Sequence, residues 1–148
     1  MTSKGIRRLL TLSVGRKCLL LDTLWALAWA VGRVKLMPFR ALALQLGKRD
    51  HQAASTLTPE QEAWAKDTEW MIAAICRRLP MKPTCLMQAA AAKSLLARRG
   101  VPATLYIGVA PVTDKRRRIN AHAWLQCGRR IVTGKAEAQN FRPMVWFG

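Results

Sequence analysis

Apolar positions crowd the chain in successive runs, and the polar and helix-breaking residues between them mark where elements start and stop. From about Lys17 to Leu46 the pattern predicts two helices broken near Met37-Pro38. In the first, Leu20, Leu21, Leu24, Trp25, Leu27, Ala28 and Val31 form a broad apolar surface, which argues for burial against the rest of the domain. The alternative is a helix lying in a membrane interface with Trp25 and Trp29 at the headgroups. Tertiary burial is the usual fate of such runs and takes precedence here. Gly47 to Leu57 is a polar connector, and His51 within it reads as a solvated side chain.

Thr58-Pro59-Glu60-Gln61 is a helix start: an N-cap threonine, proline at the first helical position and glutamine three residues after the cap. The helix it opens runs to about Arg78, with Trp64, Met71, Ile72, Ile75 and Leu79 as its inner face. Pro80 and Pro83 prevent continuation into the next helix. That next helix is announced by Met81-Lys82-Pro83-Thr84-Cys85-Leu86-Met87-Gln88. Thr84 serves as N-cap and Cys85 becomes the first helical residue, where the positive end of the helix dipole stabilises a thiolate. Alanines at 89–92 and 97 imply close packing, hence a central helix, and Gly100 ends it in a left-handed conformation.

After Gly100 the pattern changes period. Pro102 to Ala110 and Ile119 to Cys127 are β-type sequence, joined by a charged connection through Arg118. Gly128-Arg129 reverses the chain into a third strand, Arg130 to Thr133. Helices followed by an antiparallel sheet define an α+β plan. The expected organisation is an N-terminal helical region over residues 1–57 on a core over 58–148, forming one compact domain.

Composition adds charge to this picture. The chain has 148 residues, 51% of them hydrophobic, and 25 Lys and Arg against 8 Asp and Glu, a formal charge of +17. Such an excess suits a polyanion or an anionic membrane surface. The bases are scattered along the chain, however, often at the ends of apolar runs, as solvated faces and helix C-terminal charges are. That scatter argues against a specific nucleic-acid site and leaves peripheral membrane contact open. Cys18, Cys76, Cys85 and Cys127 show no CxxC spacing, which argues against zinc. Cys18, Cys76 and Cys127 read as small buried hydrophobes, leaving Cys85 distinct. No signal peptide is evident, and the apolar run from Cys18 is too short to span a bilayer. A cytoplasmic location is the default expectation.

His122 lies inside the second strand, in Asn120-Ala121-His122-Ala123-Trp124, and alternation sends it to the face opposite Ala121 and Ala123. A histidine on a strand and a cysteine at a helix start are a recurrent way to build a thiolate–imidazolium pair. The plain alternative for His122 is a core histidine satisfied by a carbonyl.

The run Pro83-Thr84-Cys85-Leu86 resembles the lasso-peptide leader peptidases, a transglutaminase-like cysteine protease family. So do Leu95 to Ala103, Tyr106-Ile107-Gly108-Val109 and Ala121-His122-Ala123-Trp124-Leu125, together with Leu36-Met37-Pro38-Phe39-Arg40 in the helical front half. The resemblance implies N-terminal helices packed on a transglutaminase- or papain-like core, with a central Cys-bearing helix and a small antiparallel sheet. It implies removal of the leader segment from a ribosomally made precursor peptide. Cys85 would attack the scissile carbonyl, His122 would activate it and protonate the leaving amine, and the Cys85 amide would donate to the oxyanion. The implied partners are the precursor leader, a separate small leader-binding protein and an ATP-dependent lasso cyclase. The family is described as needing ATP, but the sequence has no P-loop, so no nucleotide site and no cofactor are assigned.

One position departs from the family. An aspartate is usual about a dozen residues past the histidine, and this chain has Thr133-Gly134-Lys135-Ala136-Glu137 there. Glu137 is the candidate third catalytic member, with Thr133, a backbone carbonyl or Asn140 as neutral orienters. Gln88, one turn along from Cys85, either lines the cleft or packs. The departure also admits a catalytically inert peptide-binding scaffold, and the charge admits a basic nucleic-acid or anionic-membrane binder.

Overall fold

Pro38, Pro59 and Gly100 punctuate the first hundred residues of the computed structural model, which describes residues 14–111 and 120–148. Four helices fill that half: α1 (Val14–Leu36), α2 (Phe39–Gln45), α3 (Pro59–Cys76) and α4 (Cys85–Ala97). Pro38 is the N-cap of α2 and holds the extended backbone that separates it from α1. At α3 the capping box is complete. The Gln61 amide donates to the Thr58 hydroxyl at 3.2 Å, and the Gln61 side chain accepts from the Thr58 amide at 3.0 Å. Gly100 closes α4 at φ +64°, a value only glycine adopts freely.

Four strands follow: β1 (Thr104–Ala110), β2 (Asn120–Cys127), β3 (Arg130–Thr133) and β4 (Arg142–Phe147), with a short helix α5 (Lys135–Ala138) before the last. They form one antiparallel sheet in the order β3-β2-β1-β4. Pro143 sits in β4, an edge strand, where a missing donor is tolerated. The outer edge of β4 is covered by the connector after α2. The Asp50 amide donates to the Trp146 carbonyl at 2.8 Å, and Lys48 and Gly148 exchange two backbone hydrogen bonds. The fold is thus α+β, as the pattern of periods implies.

The central position of α4 comes from its alanines. Ala89, Ala91, Ala92, Leu95 and Leu96 are wholly buried, and α4 packs against α1, α3 and β2. Small side chains let three neighbours approach one helix at once, and each buried leucine adds about 1.5–3 kcal/mol by leaving water. Lys93, on the same helix, donates to the carbonyls of Ala103 at 2.6 Å and Phe147 at 3.0 Å, tying α4 to the start of β1 and the adjacent end of β4. Burial pushes this ammonium's pKa down.

Three expectations need correction. The apolar surface of α1 is only half buried: Leu19, Ala26, Leu27 and Ala30 enter the core, whereas Leu21 and Trp25 are 67% and 68% exposed. The domain covers one side of this helix, so a sequence apolar all round leaves its other side outside. Cys18, on that outer side, is exposed rather than buried, and Cys76 is partly buried. The last strand, β4, and the short helix α5 have no counterpart in the sequence reading. The charged connection through Arg116 to Arg118, and Arg7 and Arg8, lie outside the described residues. No described helix is long and apolar enough to cross a membrane.

Candidate active site

The turn ahead of α4 is built to present Cys85. Thr84 holds extended backbone (φ −65°, ψ 163°), and its hydroxyl accepts from the Met87 amide at 3.4 Å. The Gln88 side chain donates back to the Pro83 carbonyl at 2.9 Å, so this glutamine braces the turn rather than standing free in a cleft. The Gln88 amide takes the Thr84 carbonyl at 3.0 Å. The amides of Cys85 and Leu86 have no acceptor among the described residues, as expected of a helix's first turn. They are available to a developing oxyanion. The Cys85 thiol is partly buried, hence reachable. The other thiols differ: burial pushes the Cys76 pKa up and raises that of Cys127 to about 12.

His122 is fixed from several sides. It is 6% exposed and shares one face of β2 with Trp124, while Leu125 and Cys127 on the other face belong to the hydrophobic core. Its ring lies 6.2 Å from that of Trp124 at an interplanar angle of 17°, and 5.2 Å from Phe141. Trp124 in turn stacks on Tyr106 at 5.5 Å. Gly108 pairs with His122 across the sheet, and a Cβ there would come within 2.9 Å of the Trp124 ring. The glycine leaves room for the indole beside the imidazole.

Both ring nitrogens face oxygen. Nε2 lies 3.0 Å from the Gly134 carbonyl oxygen, and Nδ1 lies 3.2 Å from Oε2 of Glu137. One short element explains both contacts. Gly134 caps α5 at φ +77°, and Glu137 follows one turn later, so a carbonyl and a carboxylate from the same turn reach the same ring. Two acceptors are satisfied together only by a ring carrying protons on both nitrogens. The two contacts differ in character, since the Gly134 carbonyl is fixed backbone whereas the Glu137 side chain is 65% exposed.

Of the candidate orienters, the backbone carbonyl of Gly134 and the carboxylate of Glu137 meet the ring. The Thr133 hydroxyl is buried without a hydrogen-bond partner. The contact of Asn140 in this turn is its amide donating to the Glu137 carbonyl at 2.9 Å. Cys85 begins the helix that packs on β2, but no hydrogen bond joins its thiol to His122 among the described residues. Gly134 was not singled out from the sequence, although a glycine at a strand-to-helix junction twelve residues past His122 is the signal that could have found it. Two surface cavities of about 730 and 700 Å³ lie elsewhere and are lined by neither Cys85 nor His122.

A helix-start cysteine, a strand histidine held by a following turn and an antiparallel sheet packed on the Cys-bearing helix together define a cysteine protease-like fold. A family model of the transglutaminase-like superfamily matches residues 24–146, and the chain belongs to that superfamily. Its members are commonly cysteine peptidases or transferases. No curated protein and no solved structure matches the chain.

Proposed function

We propose that the protein is a cysteine endopeptidase that removes the leader segment from a ribosomally made lasso-peptide precursor. The observation that carries the reading is the clamp on His122, Gly134 carbonyl on one nitrogen and Glu137 on the other, on the strand against which the Cys85 helix packs. In this reading the Cys85 thiolate attacks the scissile carbonyl carbon. The resulting oxyanion takes the Cys85 and Leu86 amides. Collapse breaks the C–N bond, and the doubly protonated His122 ring gives its Nδ1 proton to the departing amine. A thioester joins Cys85 to the leader. Water then attacks the thioester, His122 Nδ1 takes one of its protons, and the leader leaves as a carboxylic acid with the Cys85 thiolate and the doubly protonated ring restored. Nε2 keeps its proton on the Gly134 carbonyl throughout, which holds the tautomer. Glu137 is the charge partner of the imidazolium and yields Nδ1 during turnover.

The proposal includes a separate leader-binding protein that delivers the precursor and an ATP-dependent cyclase that takes the product. The test is to incubate the full chain with a lasso-peptide precursor, a leader-binding protein and ATP, and to weigh the products by mass spectrometry. Two fragments summing to the precursor plus one water are expected, and none with Cys85→Ala. An uncleaved precursor with a natively folded protein overturns the peptidase reading in favour of an inert peptide-binding scaffold.

A further inference from the structure

α1 has a second apolar face that nothing among the described residues covers. Leu21, Leu24, Trp25, Trp29 and Leu36 are 67%, 41%, 68%, 40% and 85% exposed. At 100° per residue these positions fall on one side of the helix, spread over about four turns. Lys17 and Lys35 fall on the same side, one near each end. Arg33 flanks it, its guanidinium carbon 3.5 Å from the centre of the Trp29 ring. The only acid among residues 1–49, Asp22, lies at the margin of the face and is paired with Arg99 at 2.7 Å.

We propose that this face of α1 docks the protein on an anionic lipid surface, with the helix lying in the plane of the headgroups. Three features favour a bilayer as the occupant. The face is a single convex helix side rather than a groove. Its middle is tryptophan and leucine, and its ends are lysines whose long stems can reach the phosphates while the apolar middle enters the acyl boundary. The charge is positive in excess, within a chain of formal charge +17, which complements an anionic leaflet. The same excess opposes a second copy of the chain, since two such faces would set lysine and arginine against their own kind, with Asp22 already paired to Arg99. Lys35 also contacts the Met81 sulfur at 3.7 Å, four residues ahead of Cys85, so the docked face ends beside the loop that leads into the candidate nucleophile.

The test uses the full chain and vesicles of phosphatidylcholine with about a third phosphatidylglycerol, against vesicles of phosphatidylcholine alone. Binding by charge alone disappears at about 1 M salt, where the Debye length is roughly 3 Å, whereas inserted side chains keep part of it. Expected are preference for the anionic vesicles, residual binding at high salt, and quenching of tryptophan emission by brominated lipid. Leu21→Ser combined with Trp25→Ser should lower partitioning roughly tenfold or more, and Met144→Ser, 63% exposed on β4, should not. Circular dichroism confirms the fold of each variant, and the quenching experiment needs no variant at all. Absence of quenching, complete loss at high salt, or a double variant that binds like the parent overturns the proposal. Self-association without vesicle binding assigns the face to a second copy, and silence toward both leaves it to an acidic protein surface.

Discussion

The Nε2 of His122 and the carbonyl oxygen of Gly134 lie 3.0 Å apart, joining a strand to the turn that follows the next strand. Gly134 owes its place to two constraints. Its φ is +77°, and a Cβ on it would come within 2.7 Å of the His122 Nε2. Gly134→Ala is therefore expected to lower stability by about 1–3 kcal/mol and to displace the imidazole. A thermal melt together with kcat/KM on the precursor checks this. The loss of kcat/KM should exceed what the loss of stability explains.

Cys85→Ala and His122→Asn should each lower cleavage by roughly a thousandfold or more, because the two act as one unit. Their effects should also fail to add in the double variant. Cys85→Ala should melt close to the parent. His122→Asn should melt lower, since the imidazole is buried between Trp124 and Phe141 and a smaller side chain leaves part of that space empty.

Glu137 contributes through an exposed carboxylate, and exposed ion pairs are worth about 1 kcal/mol or less. Glu137→Gln is therefore expected to lower kcat/KM by roughly fivefold at most. A collapse as deep as that of Cys85→Ala would show that the carboxylate, and not the Gly134 carbonyl, orients the ring.

Iodoacetamide at mildly acidic pH should label Cys85 ahead of Cys18, although Cys18 is the more exposed of the two. Cys85 stands at the free first-turn amides of α4, whereas Cys18 lies within α1. Cys76 and Cys127 should lag behind both, because burial raises their pKa values. Mass mapping of the labelled peptides gives the order, and equal rates at Cys85 and Cys18 would defeat the argument from the helix start.

Burial raises the Cys127 thiol from 9.0 to about 12, against a smaller downward pull from Lys93. The folded chain keeps this proton where the unfolded chain has released it. Its contribution to stability is thus whole below pH 9 and is lost as pH climbs toward about 12. Lys93 acts with the opposite sign. Burial lowers its pKa, so the cost of holding it charged is relieved as pH approaches 10.5. Denaturant unfolding at about pH 8 and about pH 11 should show a smaller alkaline loss in Cys127→Ala than in the parent, whatever their difference at the lower pH.

Local signals made much of the fold legible. The capping box at Thr58, the cap at Thr84 and the stop at Gly100 each act within one turn, so a short stretch of sequence carries them whole. The alanine run gave the depth of α4 because only small side chains suit a helix packed on three sides. β4 was not legible: Arg142 to Phe147 includes Pro143 and finds its partner β1 more than thirty residues away, with a register shift beside Gly108. The outer face of α1 misled for a different reason. Hydrophobicity reports what can be buried, and whether a neighbour arrives to bury it depends on the whole domain. At the site, the residues with reactive side chains stood out and the turn geometry did not, because the acceptor at His122 Nε2 is a main-chain atom that carries no residue type.

That main-chain acceptor has a consequence for how the site can change. A scan that replaces side chains one by one passes over a carbonyl, because every residue has one. Lys135 and Ala136 can be exchanged without removing the oxygen that holds the imidazole, whereas a single residue inserted between Thr133 and Gly134 would carry it away. What must be preserved between β3 and α5 is a length and a handedness of chain.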